Sequence, residues 1–248
     1  MGFWPVVLNV LKNSDVIVLI ADARVPEITT NKEIVKKASL LNKKFVLVLN
    51  KTDLLDRQTI EKLKEKYPNS FFTSEKNYLE LLRLRKHLES LAEKQDRKSL
   101  RIGIVGYPNV GKSTIINKIV PKARLKVSPL SGTTKKTHWI RYKRLRIMDS
   151  PGVIPSQDTP ETLGLISGKS PQKIRNPEKS AMRIIEFLNK KDKNILKKFY
   201  NVESENNYDL FLKIGKKKGF LLKKGEIDEQ RTAIKIIEDW QKGKIPLK

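Results

Sequence analysis

Arg101-Ile102-Gly103-Ile104-Val105-Gly106-Tyr107-Pro108-Asn109-Val110-Gly111-Lys112-Ser113-Thr114 is the stretch on which the fold turns. It opens with an apolar run of the kind that forms a buried strand, and its second half fits G-x-x-x-x-G-K-[ST]. A helical segment to about residue 119 follows. Glycines at the two fixed positions let the backbone curl so that its N–H groups face a phosphate, and the helix start adds its positive dipole end. In such a loop Asn109, Val110, Gly111, Lys112, Ser113 and Thr114 surround the phosphates. Lys112 reaches the β- and γ-phosphates, and the Ser113 hydroxyl serves Mg²⁺.

Working outward, Asp15–Asp22, 44–49 and the weaker 69–73 read as further buried strands. Helical spacing is expected over 30–42, 56–66 and 77–95, the last with Leu81, Leu84, Leu88 and Leu91 on one face. Segments 137–142 and 144–149 read as a hairpin, and the Pro-, Gly- and Ser-rich 150–178 as a mobile loop and linker. From 179 the pattern is helical to the end, with three to five helices expected around Ala181, Ile184, Ile185, Leu188, Leu210, Phe211, Ile214, Ile234, Ile236, Ile237 and Trp240. Strands alternating with helices predict an α/β, mostly parallel sheet flanked by helices, followed by a small all-α domain. The expected boundaries are 1–176 for the nucleotide-binding domain and 177–248 for the helical one.

Asn50-Lys51-Thr52-Asp53 follows an expected strand directly, at the edge where open α/β sheets bind ligands. An Asp carboxylate there accepts from guanine N1–H and the exocyclic amine, and adenine offers neither. Asn50 can tie the loop to its neighbours and the Lys51 stem can cover the purine face. The alternative is that Thr52 or Asp53 caps the next helix. After the next strand, Thr73-Ser74 offers backbone to the guanine oxygen, or Ser74 is simply a cap.

Asp149-Ser150-Pro151-Gly152 fits D-x-x-G. Asp149 would hold Mg²⁺ through water, and the Gly152 N–H would sense the γ-phosphate. Within Ser131-Gly132-Thr133-Thr134, Thr134 is the preferred residue to reach Mg²⁺ and the γ-phosphate, with Thr133 next. The order of these boxes is unusual, because the base box precedes the phosphate loop. An α/β domain whose termini lie close can be rejoined and cut elsewhere without changing its sheet. The new break follows the γ-phosphate-sensing loop, so nucleotide state would pass directly to residues 179–248.

This order resembles the circularly permuted GTPases of the YlqF/RbgA type. Asp22-Ala23-Arg24-Val25-Pro26 is similar to that family's D-A-R-x-P segment. Leu210–Gly215, Gly219-Phe220-Leu221 and Asp239–Pro246 are similar to its tail. The resemblance implies a circularly permuted Ras-like P-loop GTPase domain that hydrolyses GTP to GDP with Mg²⁺. It also implies action in assembly of the large ribosomal subunit, on that subunit or its rRNA. The alternative is an RNA-binding or tRNA-handling GTPase unrelated to subunit assembly. One departure stands out: bacterial members start W-F-P-G-H-M-like, whereas Phe3-Trp4-Pro5-Val6-Val7 carries no His.

For hydrolysis, Lys112, Thr134, Gly152 and Asn109 are the catalytic candidates. The place after D-x-x-G holds Val153, which cannot orient water as a Gln does, so turnover is expected to be slow without a partner. Asn109 resembles the Asn that lets some GTPases bind K⁺ near the phosphates; the alternative is a loop residue tolerating an unusual backbone angle.

Composition narrows the rest. Lys and Arg total 52 against 27 Asp and Glu, a net charge of +25 that favours polyanions, nucleic acid first. Lys216-Lys217-Lys218 and Lys223-Lys224 are candidate rRNA contacts or simply solvated. Cys is absent, so disulfides and thiolate chemistry are excluded, and His87 and His138 are too few and too distant for a zinc site. No membrane span or secretory signal is visible, and a cytoplasmic monomer is expected.

Overall fold

Val16–Asp22 forms β1, and all seven of its residues are buried. A strand buried on both faces must lie inside a sheet, between helices. It pairs in parallel with Lys44–Asn50 (β2) on one side and with Leu100–Gly106 (β4) on the other. The computed structural model describes residues 4–94, 99–120, 138–150, 152, 164–166 and 169–247. It divides into two compact units, Met1–Pro155 and Ser156–Lys248.

In chain order the first unit contains α1 (Trp4–Asn13), β1, α2 (Pro26–Thr29), α3 (Lys32–Leu40), β2 and a 3₁₀ turn at Thr52–Leu54. These are followed by α4 (Arg57–Lys66), β3 (Ser70–Phe72), α5 (Tyr78–Lys94), β4, α6 (Lys112–Ile119), β5 (His138–Tyr142) and β6 (Leu145–Asp149). The six strands run in the order β3-β2-β1-β4-β6-β5. All neighbours are parallel except the β5–β6 hairpin. The chain steps outward from β1 to β3, then returns to β4 beside β1 and moves the other way. That reversal opens a crevice at the carboxyl ends of β1 and β4, where open α/β sheets bind ligands.

Val7, Val10 and Leu11 of α1 join Ile34 and Ala38 of α3 over Ile17, Leu19, Val105 and Met148, closing one face. Because Met148 points to that face, Tyr142 of the hairpin points to the other, where Arg85 of α5 lies over its ring. Leu81, Leu84, Leu88 and Ala92 are the residues α5 buries, so its stripe ends on Ala92 rather than Leu91.

The helix expected over 30–42 is present as α3, Lys32–Leu40, with the short α2 ahead of it at Pro26–Thr29. Asn31 Oδ1 accepts from the N–H groups of Glu33 and Ile34, both at 3.0 Å, and restarts the chain after the short α2. Helix α1 went unanticipated from the sequence: its β-branched residues have poor helix propensity, and packing on the sheet overrides it.

In the second unit, α7 (Pro177–Lys191), α8 (Asn194–Tyr200), α9 (Asn207–Lys217) and α10 (Glu229–Gln241) surround a core of Ile184, Ile185, Leu188, Phe211, Ile214, Ile236, Ile237 and Trp240. Ile234, expected inside, is only half-buried, and Ala233 takes the inner position. The unit begins ahead of residue 177, because the stretch before it is bonded to α10. Trp240 Nε1 donates to Leu165 O at 2.9 Å, Gln241 Nε2 to Lys169 O at 3.0 Å, and Gln172 Nε2 to Glu238 Oε1 at 2.9 Å.

Candidate functional site

Strand register brings the expected boxes to one edge. Asp22 is level with Asn50, Ile20 with Gly106, Leu49 with Phe72 and Ile104 with Asp149. The loops after β1, β2, β3, β4 and β6 therefore all open on the carboxyl side of the sheet.

The phosphate loop links β4 to α6. Two of its residues take the left-handed conformation, Asn109 (φ 58) and Gly111 (φ 98). Asn is among the few side chains that tolerate this region, so the backbone-angle reading of Asn109 is met by the geometry. At Gly111 a Cβ would run into Asn50 Nδ2, so glycine is required on steric as well as conformational grounds. Lys112 is buried at the head of α6, and its ammonium donates to Gly106 O (3.1 Å) and Tyr107 O (2.7 Å). Burial lowers its pKa to about 8, with Asp149 opposing the shift.

The Ser113 hydroxyl donates to Asp149 Oδ2 at 3.2 Å. A hydroxyl and a carboxylate converging at the mouth of the loop supply the hard oxygen ligands Mg²⁺ takes beside phosphate oxygens. Ser150 Oγ donates to Ile104 O at 2.7 Å and fixes the end of β6 to β4. At Gly152 a Cβ would lie 2.6 Å from Pro108, so only glycine lets this backbone come so near the phosphate loop. Thr114 sits half-buried in the first turn of α6. Ser131–Thr134, including the metal candidate Thr134, and Val153 lie outside the described residues.

The base loop is held from three sides. Asn50 Nδ2 donates to Val110 O at 2.8 Å, and Asn50 Oδ1 accepts from Thr73 Oγ1 at 3.1 Å. Thr73 O in turn accepts from Thr52 N (3.2 Å) and Thr52 Oγ1 (3.1 Å). One amide thus joins the base loop to the phosphate loop and to the loop after β3. Asp56, not Thr52 or Asp53, caps the following helix, accepting from Thr59 N at 2.8 Å. That leaves the Asp53 carboxylate outside the cap, paired with the exposed Lys76 at 3.4 Å. Ser74 Oγ accepts from Asn77 N at 3.1 Å and closes the turn ahead of α5 rather than capping that helix itself, where Asn77 Oδ1 accepts from Glu80 N at 3.3 Å.

Two contributors carry little local signal for their place in the site. The Thr73 side chain is one; its signal is only its place after a short strand. The second is Asp22-Ala23-Arg24, whose buried charges meet Lys51. Arg24 lays its guanidinium on Asp22, with Nε 3.0 Å from Oδ1 and Nη2 2.8 Å from Oδ2, while Lys51 Nζ is 3.0 Å from Oδ2. Burial by itself would raise the Asp22 carboxyl, but Arg24 and Lys51 overcome it and hold it well below the usual carboxylate range. Burial pulls the Lys51 ammonium below the usual lysine range, with Asp22 opposing.

Comparison with known proteins agrees with this layout. A family model described as RsgA GTPase matches residues 7–158, and one described as 50S ribosome-binding GTPase matches residues 101–217. An uncharacterized GTP-binding protein of Methanocaldococcus jannaschii is 38% identical over 97% of this chain and 65% of its own length. Nuclear/nucleolar GTPase 2 of Arabidopsis thaliana is 35% identical over 98% of this chain and 44% of its own. The chain thus spans less than two-thirds of the length of these curated relatives. The GNP-bound crystal structure of YlqF from T. maritima superposes with a TM-score of 0.63 at 23% identity, covering 97% of this chain and 94% of that one, which is a likeness of fold. With its base loop ahead of its phosphate loop in sequence and both at one sheet edge, and with the RsgA GTPase model covering residues 7–158, this chain belongs to the circularly permuted GTPases.

Proposed function

We propose that this chain binds GTP and GDP, hydrolyses GTP, and uses the cycle as a switch in assembly of the large ribosomal subunit. The observation that carries the nucleotide reading is the Asn50 amide, bonded at once to Val110 O of the phosphate loop and to Thr73. It holds base loop and phosphate loop together as one site, with Asp53 free of the helix cap to accept from guanine.

In this reading the backbone N–H groups of Asn109 to Thr114 and the Lys112 ammonium hold the phosphates. Lys112 exchanges its two carbonyl partners for phosphate oxygens. Ser113 and Asp149 would hold Mg²⁺, together with Thr134. The ion supplies charge neutralisation at the phosphates. Gly152 offers its N–H to the γ-phosphate, and Asn109 is the candidate ligand of a K⁺ ion, which would raise turnover over that in Na⁺.

The ribosomal part is supported by the printed description of the family model over 101–217 and by the charge. In the helical unit Lys216, Lys217, Lys218, Lys223 and Lys224 are all exposed, ready to meet rRNA phosphates. The proposed setting is cytoplasmic and the proposed state a monomer. Among the described residues no helix is long and apolar enough to cross a membrane.

The test is a GTPase assay in K⁺ buffer with and without purified large-subunit particles, comparing wild type with Asp53→Asn and Lys112→Ala. Stimulation by particles that both substitutions abolish is the expected result. Turnover indifferent to particles, with free RNA or tRNA bound, would transfer the reading to the RNA-handling alternative.

A further inference from the structure

Lys51 is held in an unusual way. It is a non-glycine residue in the left-handed region (φ 68), a conformation that persists only where surroundings enforce it. That backbone angle turns its side chain back toward the end of β1, where Nζ meets Asp22 Oδ2 at 3.0 Å. Asp22 is 3% exposed and is in register with Asn50, the residue before Lys51. Ala23 N donates to Asn50 O at 2.8 Å, so the two loops are also stitched through backbone.

Asp22 itself cannot wander. Arg24 occupies its Oδ1 through both N (3.0 Å) and Nε (3.0 Å), and its Oδ2 through Nη2 (2.8 Å). Arg24 is 2% exposed, and Thr29 Oγ1 accepts from Asp22 N at 3.0 Å, anchoring the turn from behind. Buried charge of this sort contributes little net stability over an apolar replacement, but it fixes geometry sharply. What it fixes here is the lysine of the base loop.

We propose that Asp22 is a positioning residue for Lys51, with Arg24 holding the carboxylate, so that the segment after β1 is part of the guanine site. The inference rests on reading residues 50–53 as that site. Asp22 aims the lysine stem along one purine face, a contact common to GDP and GTP. It therefore governs affinity for both nucleotides equally and leaves the hydrolytic step alone.

The experiment measures the affinity of fluorescent GDP and GTP analogues for wild type, Asp22→Asn, Lys51→Met and the double variant, with kcat and KM alongside. Asp22→Asn is expected to raise both Kd values by about tenfold, the loss of one charge-assisted contact. The double variant should be no weaker than Lys51→Met, because Asp22 acts only through Lys51. KM should rise at unchanged kcat, whereas a misfolded fraction would lower kcat at unchanged KM. Asp22→Asn leaves Arg24 buried without its carboxylate, so Asp22→Asn/Arg24→Leu serves as the folded counterpart, with the same tenfold rise expected. Additive effects in the double variant, or unchanged Kd in Asp22→Asn/Arg24→Leu, overturn the inference and leave the nucleotide site standing. Failure of wild type to bind either analogue overturns the site reading and this inference with it.

Discussion

Between residues 106 and 113 the site is made of backbone, and between residues 50 and 53 it is made of side chains that reach across strands. The phosphate half depends on left-handed turns at Asn109 and Gly111 and on a lysine folded over its own loop. The Lys112 ammonium finds its partners five and six residues away, although Ser113 also reaches Asp149 and Val110 O accepts from Asn50. The base half depends on Asn50 reaching Val110 and Thr73, and on Lys51 reaching Asp22, partners 60, 23 and 29 positions away. Phosphate is a symmetrical anion that any cluster of N–H groups satisfies, so local backbone suffices. A purine edge has to be met at fixed angles, so its loop must be braced from several strands.

If the halves divide labour this way, deleting phosphate charge should weaken binding without changing base preference. Lys112→Ala removes two charge-assisted contacts and is expected to cost about 1,000-fold in affinity for GTP, measured by titration with a fluorescent analogue. The preference for guanine over adenine among the residual binders should survive. A variant that lost its base preference too would break the division. Asp53→Asn is the reciprocal test: about 100-fold weaker GDP binding, with xanthosine diphosphate gaining, because an amide donor suits a carbonyl at purine position 2. Unchanged selectivity would remove Asp53 from the base site.

The two halves also differed in how far they could be read from sequence. The phosphate loop and its flanking strand and helix were legible because glycine spacing and Lys-Ser are demanded locally. The base box was legible as four residues, but its capping alternative fell only when Asp56 proved to cap α4. Asp22–Arg24–Lys51 was visible only as a family-like segment, since no local pattern tells that a carboxylate at the end of one strand faces a lysine after the next. The helix α1 and the early start of the second unit escaped for the same reason. Their hold comes from packing and from long-range bonds such as Trp240 Nε1 to Leu165 O, not from propensity.

Gly111 is where the halves meet, and substituting it asks whether they are independent. Gly111→Ala places a Cβ against Asn50 Nδ2 at a φ of 98, so it strains the phosphate loop and pushes the base-loop brace at once. Loss of the Asn50–Val110 bond plus the left-handed penalty predicts about 30-fold weaker GDP binding. A fall in thermal stability with affinity unchanged would mean that the brace is architectural only.

The smallest expected effect is a pH dependence that sets the two lysines of the site apart. In the unliganded protein the Lys112 ammonium has a pKa of about 8, lowered by burial and opposed by Asp149. Phosphate oxygens in place of the carbonyls of Gly106 and Tyr107 favour the charged form, so nucleotide binding raises that pKa. Below pH 8 Lys112 is already protonated and affinity should be flat. Above it, binding must take up a proton, and affinity should fall by about tenfold per pH unit until the bound-state pKa is reached. The unliganded fold moves the opposite way, because Lys112 releases its proton in the native state while the unfolded chain still keeps one. Its stability should therefore rise with pH from about 8 toward the unfolded lysine value near 10.4. Calorimetry of GDP binding across about pH 7–9, in two buffers of different ionisation enthalpy, reads the proton uptake directly. Lys112→Arg should flatten the profile, since guanidinium stays charged throughout, and Lys51→Met should keep the break. The reverse pattern, a break that vanishes with Lys51→Met and persists in Lys112→Arg, would place the titrating group in the base half, at the Lys51 ammonium that Asp22 positions.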